Sequence, residues 1–565
     1  MLMKRLRWQI LVVVITLVVV GVLLLIQQPV GTVQFAPQPV SGGVYSEALV
    51  GSLGRLNPLL DWENTADRDV NRLIFSGLIR FDANGLPRPD VAESWGVNEE
   101  GTIYNFTLRE NAYWHDGEPI TSDDVIFTID RMKSAGSLYP QDVKDLWSRV
   151  EVTRLNEKNL KFTIPEPFAP FLDYLTFGLL PRHILEAVPP EEMQNAEFNI
   201  APVGSGPYQF DQLLLDEGQI TGVVLKVYEN YYGQVPYIPQ VVFRYYPTPA
   251  SALQAYEQGD VLAVSRITPD VLADALENPT LSMYTSQMPQ ISMVLLNLNN
   301  PEVEFLSNAN VRRALLLGLN RQQLISQLLS GQAIIADGPI LPGSWAYYES
   351  TERVPYDPEA AIALLKAEEY IIPAEGGEVR AKENQFLRFT LLHPDDEIHT
   401  RMAEIIQTSW LNIGVQVDLQ AMPYDQMVLN ALNARSYHAA LVDLNLARTP
   451  DPDPYPFWHQ SEATGGQNYS QWDNRTASEY LEQARVNTDY EIRKRLYRNF
   501  QVIFAKELPA LPLFYPVYTF GVDAQVQDVQ VGPLFDISDR FSTIAEWNLV
   551  QRRSLEQVPQ ETEAP

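Results

Sequence analysis

The stretch Ala92–Arg131, AESWGVNEEGTIYNFTLRENAYWHDGEPITSDDVIFTIDR, decides the fold of this chain. Its segment Ile103–Leu108 alternates apolar and polar residues directly after the polar turn NEEG, which predicts a strand. The segment Thr121–Met132 begins with a hydroxyl cap and two carboxylates and continues with the apolar spacing of an amphipathic helix. Between them, Asp116–Gly117 is a turn dipeptide. A strand, a turn and a helix in close succession indicate a chain that mixes α and β structure.

Segments further along the chain extend the same mixture. Val223–Tyr228 and Val241–Tyr246 are predicted strands, separated by a connection that contains Gly and Pro. Asn310–Leu329 has the spacing of one long helix, and Asp357 is predicted to cap another, with Pro358 at its first position. The sequence shows no fixed-period repeat. We therefore predict an α/β (mixed α+β) fold with mixed sheets, rather than a solenoid or a propeller.

Length, charge and cysteine content narrow the class of protein. A chain of 565 residues is too long for one ordinary core and predicts two or three domains. Its formal net charge of −30 argues against nucleic-acid binding, which requires clustered Lys and Arg. The sequence contains no Cys. Disulfides, thiolate metal sites, cysteine nucleophiles and a lipid-modified cysteine anchor are therefore excluded.

The N-terminal residues predict a membrane anchor. Lys4, Arg5 and Arg7 precede an apolar run from Trp8 to Ile26, which as a helix is about 28 Å long and close to the hydrocarbon thickness of a bilayer. The run exceeds the apolar region of a typical cleavable signal peptide, and no small-x-small cleavage site follows it. We expect residues 1–26 to be an uncleaved signal anchor with a cytoplasmic N-terminus. The alternative is a cleaved signal peptide and soluble export.

Four motifs in the opening stretch carry a family resemblance: Ala-x-Ser-Trp, Tyr-x-Phe-x-Leu-Arg, Trp-His-Asp-Gly-x-Pro and Asp-Asp-Val, in this order. Together with later motifs they resemble the family 5 extracellular solute-binding proteins, which are the oligopeptide-, dipeptide- and nickel-binding proteins of ABC importers. The resemblance extends from Val44 to Val550. The later motifs are PVGSGPYQF (202–210), NANVRRALLLGLNRQQLI (308–325), YDPEAAIALLKAEEY (356–370), PDPDPYPFWHQ (450–460) and RLYRNFQVIFAKELPALPLFYP (495–516).

The resemblance implies a periplasmic-binding-protein-like fold of two lobes joined by a hinge, with an extra subdomain on the first lobe. Lobe I is expected to be discontinuous along the chain. The expected division is a signal anchor at 1–26, a tether at 27–42, lobe I at 43–76, 202–288 and 507–550, the extra subdomain at 77–201, lobe II at 289–506 and a flexible tail at 551–565.

The same resemblance implies the extracytoplasmic substrate-binding component of an ABC importer, which captures oligo- or dipeptides in the interlobe cleft. Expected partners are a peptide or another small solute, a membrane permease with its ATPase subunits, and the membrane through the N-terminal helix. The protein is expected to be a monomer that binds no nucleic acid, uses no cofactor or metal and is not an enzyme. The alternatives are an oligosaccharide or a metal chelate as the ligand, and a ligand sensor instead of a transport component.

Peptide-binding relatives hold their ligand by β-augmentation, and the resemblance places this role on Gly43–Glu47 and Ala440–Arg448. In those relatives an acidic residue commonly holds the α-ammonium group of the ligand, whereas this chain has Arg448 near that position. An arginine suits a carboxylate or a sugar hydroxyl instead. Aromatic side chains around the adjacent loop suit peptide side chains or sugar rings. The residues expected to contact the ligand are Tyr45, Arg448, Asp451, Trp458 and Tyr469.

Overall fold

The computed structural model of the chain describes residues 16, 18 and 35–555, except 135–138, 384 and 448–449. Apart from Thr16 and Val18, the predicted anchor at 1–26 lies outside the described residues. So do the first part of the predicted tether and the end of the predicted tail. No helix in the part of the chain that the structure describes is long and apolar enough to cross a bilayer.

The chain divides into two compact units. The smaller unit contains an antiparallel pair of strands, Phe35–Val40 (β1) and Val550–Leu555 (β22), with Val40 opposite Val550. These strands fall in the regions predicted as tether and tail, for which no strand was predicted. The larger unit, Gly43–Leu549, contains all the elements described below.

The strands of the larger unit are mostly short, and one long strand lies near the C-terminal end. In chain order they are β2 (Val44–Val50), β3 (Ile79–Phe81), β4 (Pro87–Pro89), β5 (Ala92–Val97), β6 (Ile103–Leu108), β7 (Glu151–Arg154), β8 (Asn159–Thr163), β9 (Tyr208–Asp216), β10 (Gln219–Val227), β11 (Gln240–Tyr246), β12 (Ala263–Val264), β13 (Leu281–Gln287), β14 (Gln290–Leu296), β15 (Ala333–Ile335), β16 (Ala381–Lys382), β17 (Gln385–Phe386), β18 (Arg388–Pro394), β19 (Gln416–Met422), β20 (Ala439–Asn445) and β21 (Ala510–Asp523).

Helices are distributed between these strands, and short 3₁₀ helices at Ala169–Leu175 and Ile537–Phe541 bear on the candidate site. The α-helices are α1 (Thr65–Ile74), α2 (Ser122–Ser134), α3 (Gln141–Arg149), α4 (Arg182–Leu185), α5 (Pro249–Glu257), α6 (Leu272–Leu276), α7 (Ala309–Leu317), α8 (Arg321–Leu328), α9 (Pro358–Ala367), α10 (Glu397–Asn412), α11 (Tyr424–Gln426), α12 (Tyr455–Trp458), α13 (Arg475–Val486) and α14 (Tyr490–Glu507).

A mixed sheet of twelve described strands forms the frame of the larger unit. Its order is β19-β18-β20-β14-β21-β12-β2-β11-β10-β9, and β13 and β15 also pair with β21. The first half of β21 pairs with β14 and β15, and its second half pairs with β12 and β13. The chain therefore passes between the two halves of the sheet within β21 and at the connection between β13 and β14.

The opening stretch of the sequence forms a separate antiparallel sheet in the order β5-β6-β8-β7. The predicted strand Ile103–Leu108 is confirmed as β6, and its alternate side chains Tyr104, Phe106 and Leu108 are buried. The predicted helix Thr121–Met132 is confirmed as α2, with two carboxylates in its first turn where the helix dipole favours negative charge. Local sequence patterns therefore predicted this region correctly.

One predicted helix is wrong in its length. Asn310–Leu329 forms two helices, α7 and α8, instead of one. Asn320 caps the second helix, because its side chain accepts a hydrogen bond from the backbone N–H of Gln323. A Cβ atom at Gly318 would lie 2.7 Å from Cδ1 of Ile413, so the break also lets another segment approach closely. By contrast, the predicted cap at Asp357 with Pro358 as the first helical residue is confirmed.

The motifs WHDGEP and PVGSGPYQF lie against each other. Nδ1 of His115 accepts the backbone N–H of Gly204 at 3.1 Å, which leaves Nε2 to donate to the carbonyl of Gly206 at 3.1 Å. Burial lowers the pKa of His115 to about 4, so the ring is neutral at pH 7. Both glycines lie close to the end of α1, since a Cβ atom on Gly204 would stand 2.0 Å from the carbonyl oxygen of Ile74. The glycines serve close backbone packing, and the histidine is structural.

Candidate functional site

A cavity of about 520 Å³ lies where four distant parts of the chain meet. It combines aromatic rings with charged side chains, and ligand pockets commonly join apolar surface to polar groups in this way. Its walls come from residues within 58–83, 139–178 and 530–546, together with Ala447 and Pro450. The rings on the walls belong to Trp62, Phe75, Phe81, Tyr139, Tyr174, Phe177 and Phe535, and the charged side chains to Asp61, Arg68, Arg72, Arg80, Asp82, Asp173, Asp536, Asp539 and Glu546.

Two arginines of helix α1 connect this helix to the 3₁₀ helix Ile537–Phe541. Arg68 lies 3.3 Å from the carboxylate of Asp536 and donates to the carbonyl of Trp62 at 2.7 Å. One turn further on, Arg72 lies 3.0 Å from the carboxylate of Asp539. The spacing of four residues places both guanidinium groups on one face of the helix. Both are held by carboxylates of the cavity wall.

A buried ion triad lies beneath these pairs. Arg540 contacts Glu47 at 2.6 Å and Asp69 at 2.5 Å, and all three side chains are almost fully buried. Burial raises the pKa of both carboxyl groups, while the charge of Arg540 opposes the shift. The triad joins strand β2 and helix α1 to the 3₁₀ helix. It therefore fixes the wall from which Asp536 and Asp539 point.

A second buried cluster reaches the cavity wall through Asp173. Asp173 accepts the backbone N–H of Asp451 at 2.8 Å, and the Asp451 carboxylate lies 2.5 Å from Arg493. The hydroxyl of Tyr497 also donates to Asp451, at 3.3 Å. Burial raises the pKa of Asp173 well above its ordinary value, and the charge of Asp451 raises it further. This cluster connects the 3₁₀ helix Ala169–Leu175 to helix α14 through the loop after β20.

The residues predicted to contact the ligand occupy different surroundings. Tyr45 is fully buried, donates to Glu47 at 2.6 Å and packs edge-on against Trp547. Trp458 is also buried, against Phe504.

Tyr469 is half-buried, with the guanidinium group of Arg435 over its ring. Asp451 belongs to the cluster behind the cavity wall. None of these four described side chains lines the cavity, so their role in binding stays a prediction.

Arg448 lies outside the described residues. Its neighbours Ala447 and Pro450 both line the cavity. The loop that the sequence singled out therefore reaches the candidate site, although Tyr45 and Trp458 do not.

Sequence reasoning missed most of the cavity wall. Asp61 and Trp62 precede helix α1, and Tyr139 precedes helix α3. The 3₁₀ helix with Asp536 and Asp539 was placed in lobe I without a site role. The spacing of Arg68 and Arg72 was the one local signal, because it places two cations on one helix face. That signal does not show which other segments face the helix.

Comparison with known proteins gives one family and full-length relatives. Residues 87–467 match the family described as Bacterial extracellular solute-binding proteins, family 5 Middle. The dipeptide-binding protein of Escherichia coli is 25% identical, over 88% of this chain and 94% of that protein. The oligopeptide-binding protein AppA of Bacillus subtilis is 25% identical, over 89% and 91%. The crystal structure of NikZ from Campylobacter jejuni in complex with Ni(L-His) has a TM-score of 0.66 and 25% identity, over 89% and 99%.

Proposed function

The chain belongs to the family 5 bacterial extracellular solute-binding proteins of ABC importers, and we propose that it captures peptides in the cavity and delivers them to a membrane permease. The observation that carries the proposal is the cavity itself, which is of ligand size and bounded by segments from distant parts of the chain. Relatives that bind dipeptides and oligopeptides cover most of the chain, which favours peptides as the ligand class.

The proposal includes the two-lobed division. Lobe I, its extra subdomain and lobe II correspond to 43–76 with 202–288 and 507–550, to 77–201, and to 289–506. The connection between β13 and β14 lies at the proposed boundary of 288 and 289, and β21 passes from one half of the sheet to the other. Only a few segments connect the two halves, as a hinge requires. Ligand bound between the lobes would shift the population toward the closed form.

Arg448 is proposed to contact the ligand directly, because Ala447 and Pro450 on either side of its loop line the cavity. Asp451 is proposed to act through this loop. Its carboxylate is held by Arg493 and its backbone N–H by Asp173, which ties the loop to the cavity wall.

The proposed location is the outer face of the cell membrane, with residues 1–26 as an uncleaved anchor and the remainder extracytoplasmic. The apolar run Trp8–Ile26 after three cations supports this orientation. The proposed working form is a monomer that docks on the permease.

Native mass spectrometry of the full chain, purified from its own membranes in mild detergent, tests these proposals. We expect co-purified peptides of mixed sequence and an intact mass that includes residues 1–26. The control is the same protein after unfolding, dialysis and refolding, which should carry no ligand until a peptide pool is added. A uniform oligosaccharide or metal chelate would contradict the peptide assignment, and an intact mass that lacks residues 1–26 would contradict the anchor.

A further inference from the structure

One arginine of the cavity has no hydrogen-bond or ion-pair partner among the described residues. Arg80 lies in strand β3, is exposed and lines the cavity. Among the described residues it donates no hydrogen bond and forms no ion pair. The other two described arginines of the wall, Arg68 and Arg72, are each paired with a carboxylate. The guanidinium group of Arg80 is therefore available to a ligand, whereas the other two are engaged.

The pairing of strands β3 and β4 indicates that an arginine at position 80 does not stabilise the fold. In the antiparallel pair β3–β4, Arg80 stands directly opposite Arg88. Like charges at directly opposed positions destabilise a pair of strands. Arg88 is neutralised by Asp82, which it contacts at 2.6 Å, and this leaves Arg80 with the uncompensated charge. A local arrangement that opposes stability without compensation is expected mainly at functional sites.

The nearby carboxylate of Asp90 does not occupy the guanidinium group of Arg80. Asp90 is close enough for the charge of Arg80 to favour its ionised form, yet its carboxylate accepts a hydrogen bond from the hydroxyl of Tyr232. No ion pair between Arg80 and Asp90 is formed in the described structure. The five N–H donors of the guanidinium group thus have no acceptor among the described residues.

We propose that Arg80 determines specificity by receiving the C-terminal carboxylate of the bound peptide. A guanidinium group binds a carboxylate through two parallel hydrogen bonds, which adds geometric selectivity to charge attraction. Aromatic walls such as Trp62 and Tyr139 provide apolar surface for side chains of varied sequence, so the terminal carboxylate is the group that all free peptides share. This inference rests on the proposed peptide function and adds the group by which the peptide is anchored.

The test compares two probes on the refolded, ligand-free full chain. One probe is a pool of tri- and tetrapeptides with free C-termini, and the other is the same pool with C-terminal amides. The variants are Arg80→Gln, Arg80→Lys and, as the control, Arg154→Gln. Arg154 is exposed on strand β7, pairs with Asp123 and does not line the cavity, so its loss changes the net charge equally. Binding is measured by calorimetry, and folding by the midpoint of thermal unfolding.

We expect the unmodified protein to bind the free-acid pool about ten- to a hundredfold more tightly than the amidated pool, as a charged hydrogen bond predicts. Arg80→Gln should abolish that preference, Arg80→Lys should retain part of it, and Arg154→Gln should retain all of it. Equal binding of the two pools by the unmodified protein, or an unchanged preference in Arg80→Gln, overturns the role of Arg80 and leaves peptide binding intact. Binding of neither pool overturns the peptide function, and the inference with it.

Discussion

Two buried clusters in this protein have the same composition, one arginine and two carboxylates, but different positions in the fold. Arg540 contacts Glu47 and Asp69 directly, at 2.6 and 2.5 Å, inside the region proposed as lobe I. In the second cluster, Arg493 pairs with one of the two carboxylates, that of Asp451, whereas Asp173 accepts the backbone N–H of Asp451. The second cluster joins the proposed extra subdomain to the proposed lobe II.

The two clusters differ in how much of the protein must open before their buried charged side chains contact water. The three groups of the first cluster belong to one packed region, so exposing them to water requires that region to unfold. In the proposed division, Asp173 lies on the extra subdomain and Asp451 and Arg493 on lobe II, so separation of these two parts would return the carboxylates to water without global unfolding. In the proposed division, the same chemistry stabilises the fold of lobe I in one place and would stabilise the contact between the extra subdomain and lobe II in the other.

The largest expected effect distinguishes the two arginines. Arg540→Met leaves two buried carboxylates without a cation and should lower the free energy of unfolding by about 3–5 kcal/mol. Arg493→Met should lower it less, by about 2–3 kcal/mol, because in the proposed division the two parts can separate and Asp451 keeps the hydroxyl of Tyr497. Urea unfolding measures both values.

Hydrogen exchange supplies the qualitative check on the same two variants. In Arg493→Met the backbone N–H of Asp451 should exchange faster while that of strand β2 stays protected. Arg540→Met should loosen strand β2 as well. Equal losses of protection at both places in both variants would remove the distinction between the clusters.

A smaller effect concerns pH. The pKa of Asp173 is raised by burial and by Asp451, and the charges that face it come from Asp451, Asp453 and Arg493, beside the ring of Tyr490. The folded state therefore keeps a proton that the unfolded state has lost, so stability falls as pH rises from the ordinary value of 3.8 through the raised pKa.

Asp173→Asn isolates this contribution. Its side-chain carbonyl still accepts the N–H of Asp451 but cannot ionise. Its stability relative to the unmodified protein should therefore increase as pH rises over that window, as measured by urea unfolding at several pH values. Parallel stability curves for the two proteins would show that Asp173 titrates normally.

The smallest expected effect concerns one side-chain contact, that of Arg485 in the proposed lobe II with Phe168 in the proposed extra subdomain. The guanidinium group of Arg485 lies 5.4 Å from the ring of Phe168 across the contact, and 4.0 Å from the ring of Tyr455 on its own side. A double-mutant cycle of Arg485→Gln with Phe168→Leu should give a coupling energy of about 0.5 kcal/mol. The matched cycle with Tyr455→Leu should give about 1 kcal/mol. A larger coupling energy for Arg485 with Phe168 than for Arg485 with Tyr455 would contradict this prediction.

Sequence patterns predicted the elements whose cause is local. The alternation in Ile103–Leu108 and the cap at Asp357 depend on residues a few positions apart, and both predictions are confirmed. The prediction of a single helix over Asn310–Leu329 is wrong because Asn320 caps a second helix and because Gly318 lies close to Ile413, almost a hundred residues later in the chain. Nothing within the segment itself signals that contact.

Prediction of the candidate site was limited in the same way, because its residues come from segments that are far apart in the sequence. The sequence directed attention to the loop near Arg448, and its neighbours Ala447 and Pro450 do line the cavity. It did not direct attention to Arg80, whose proposed role rests on its lack of a partner among the described residues. Absence of a partner is a property of the packed chain and cannot be counted along the sequence.

The sequence by itself determined the family, the mixed α and β class, and the strand, turn and helix of Ala92–Arg131. These features depend on the order of motifs and on the spacing of nearby residues, which can be observed in the sequence directly. Only the tertiary structure decided which charges are paired. Arg540 and Arg493 are separated from their carboxylate partners by up to several hundred residues, and Arg80 is distinguished from Arg68 and Arg72 by what lies beside it. Electrostatic interactions depend on distance and burial, and both are set when distant segments pack together.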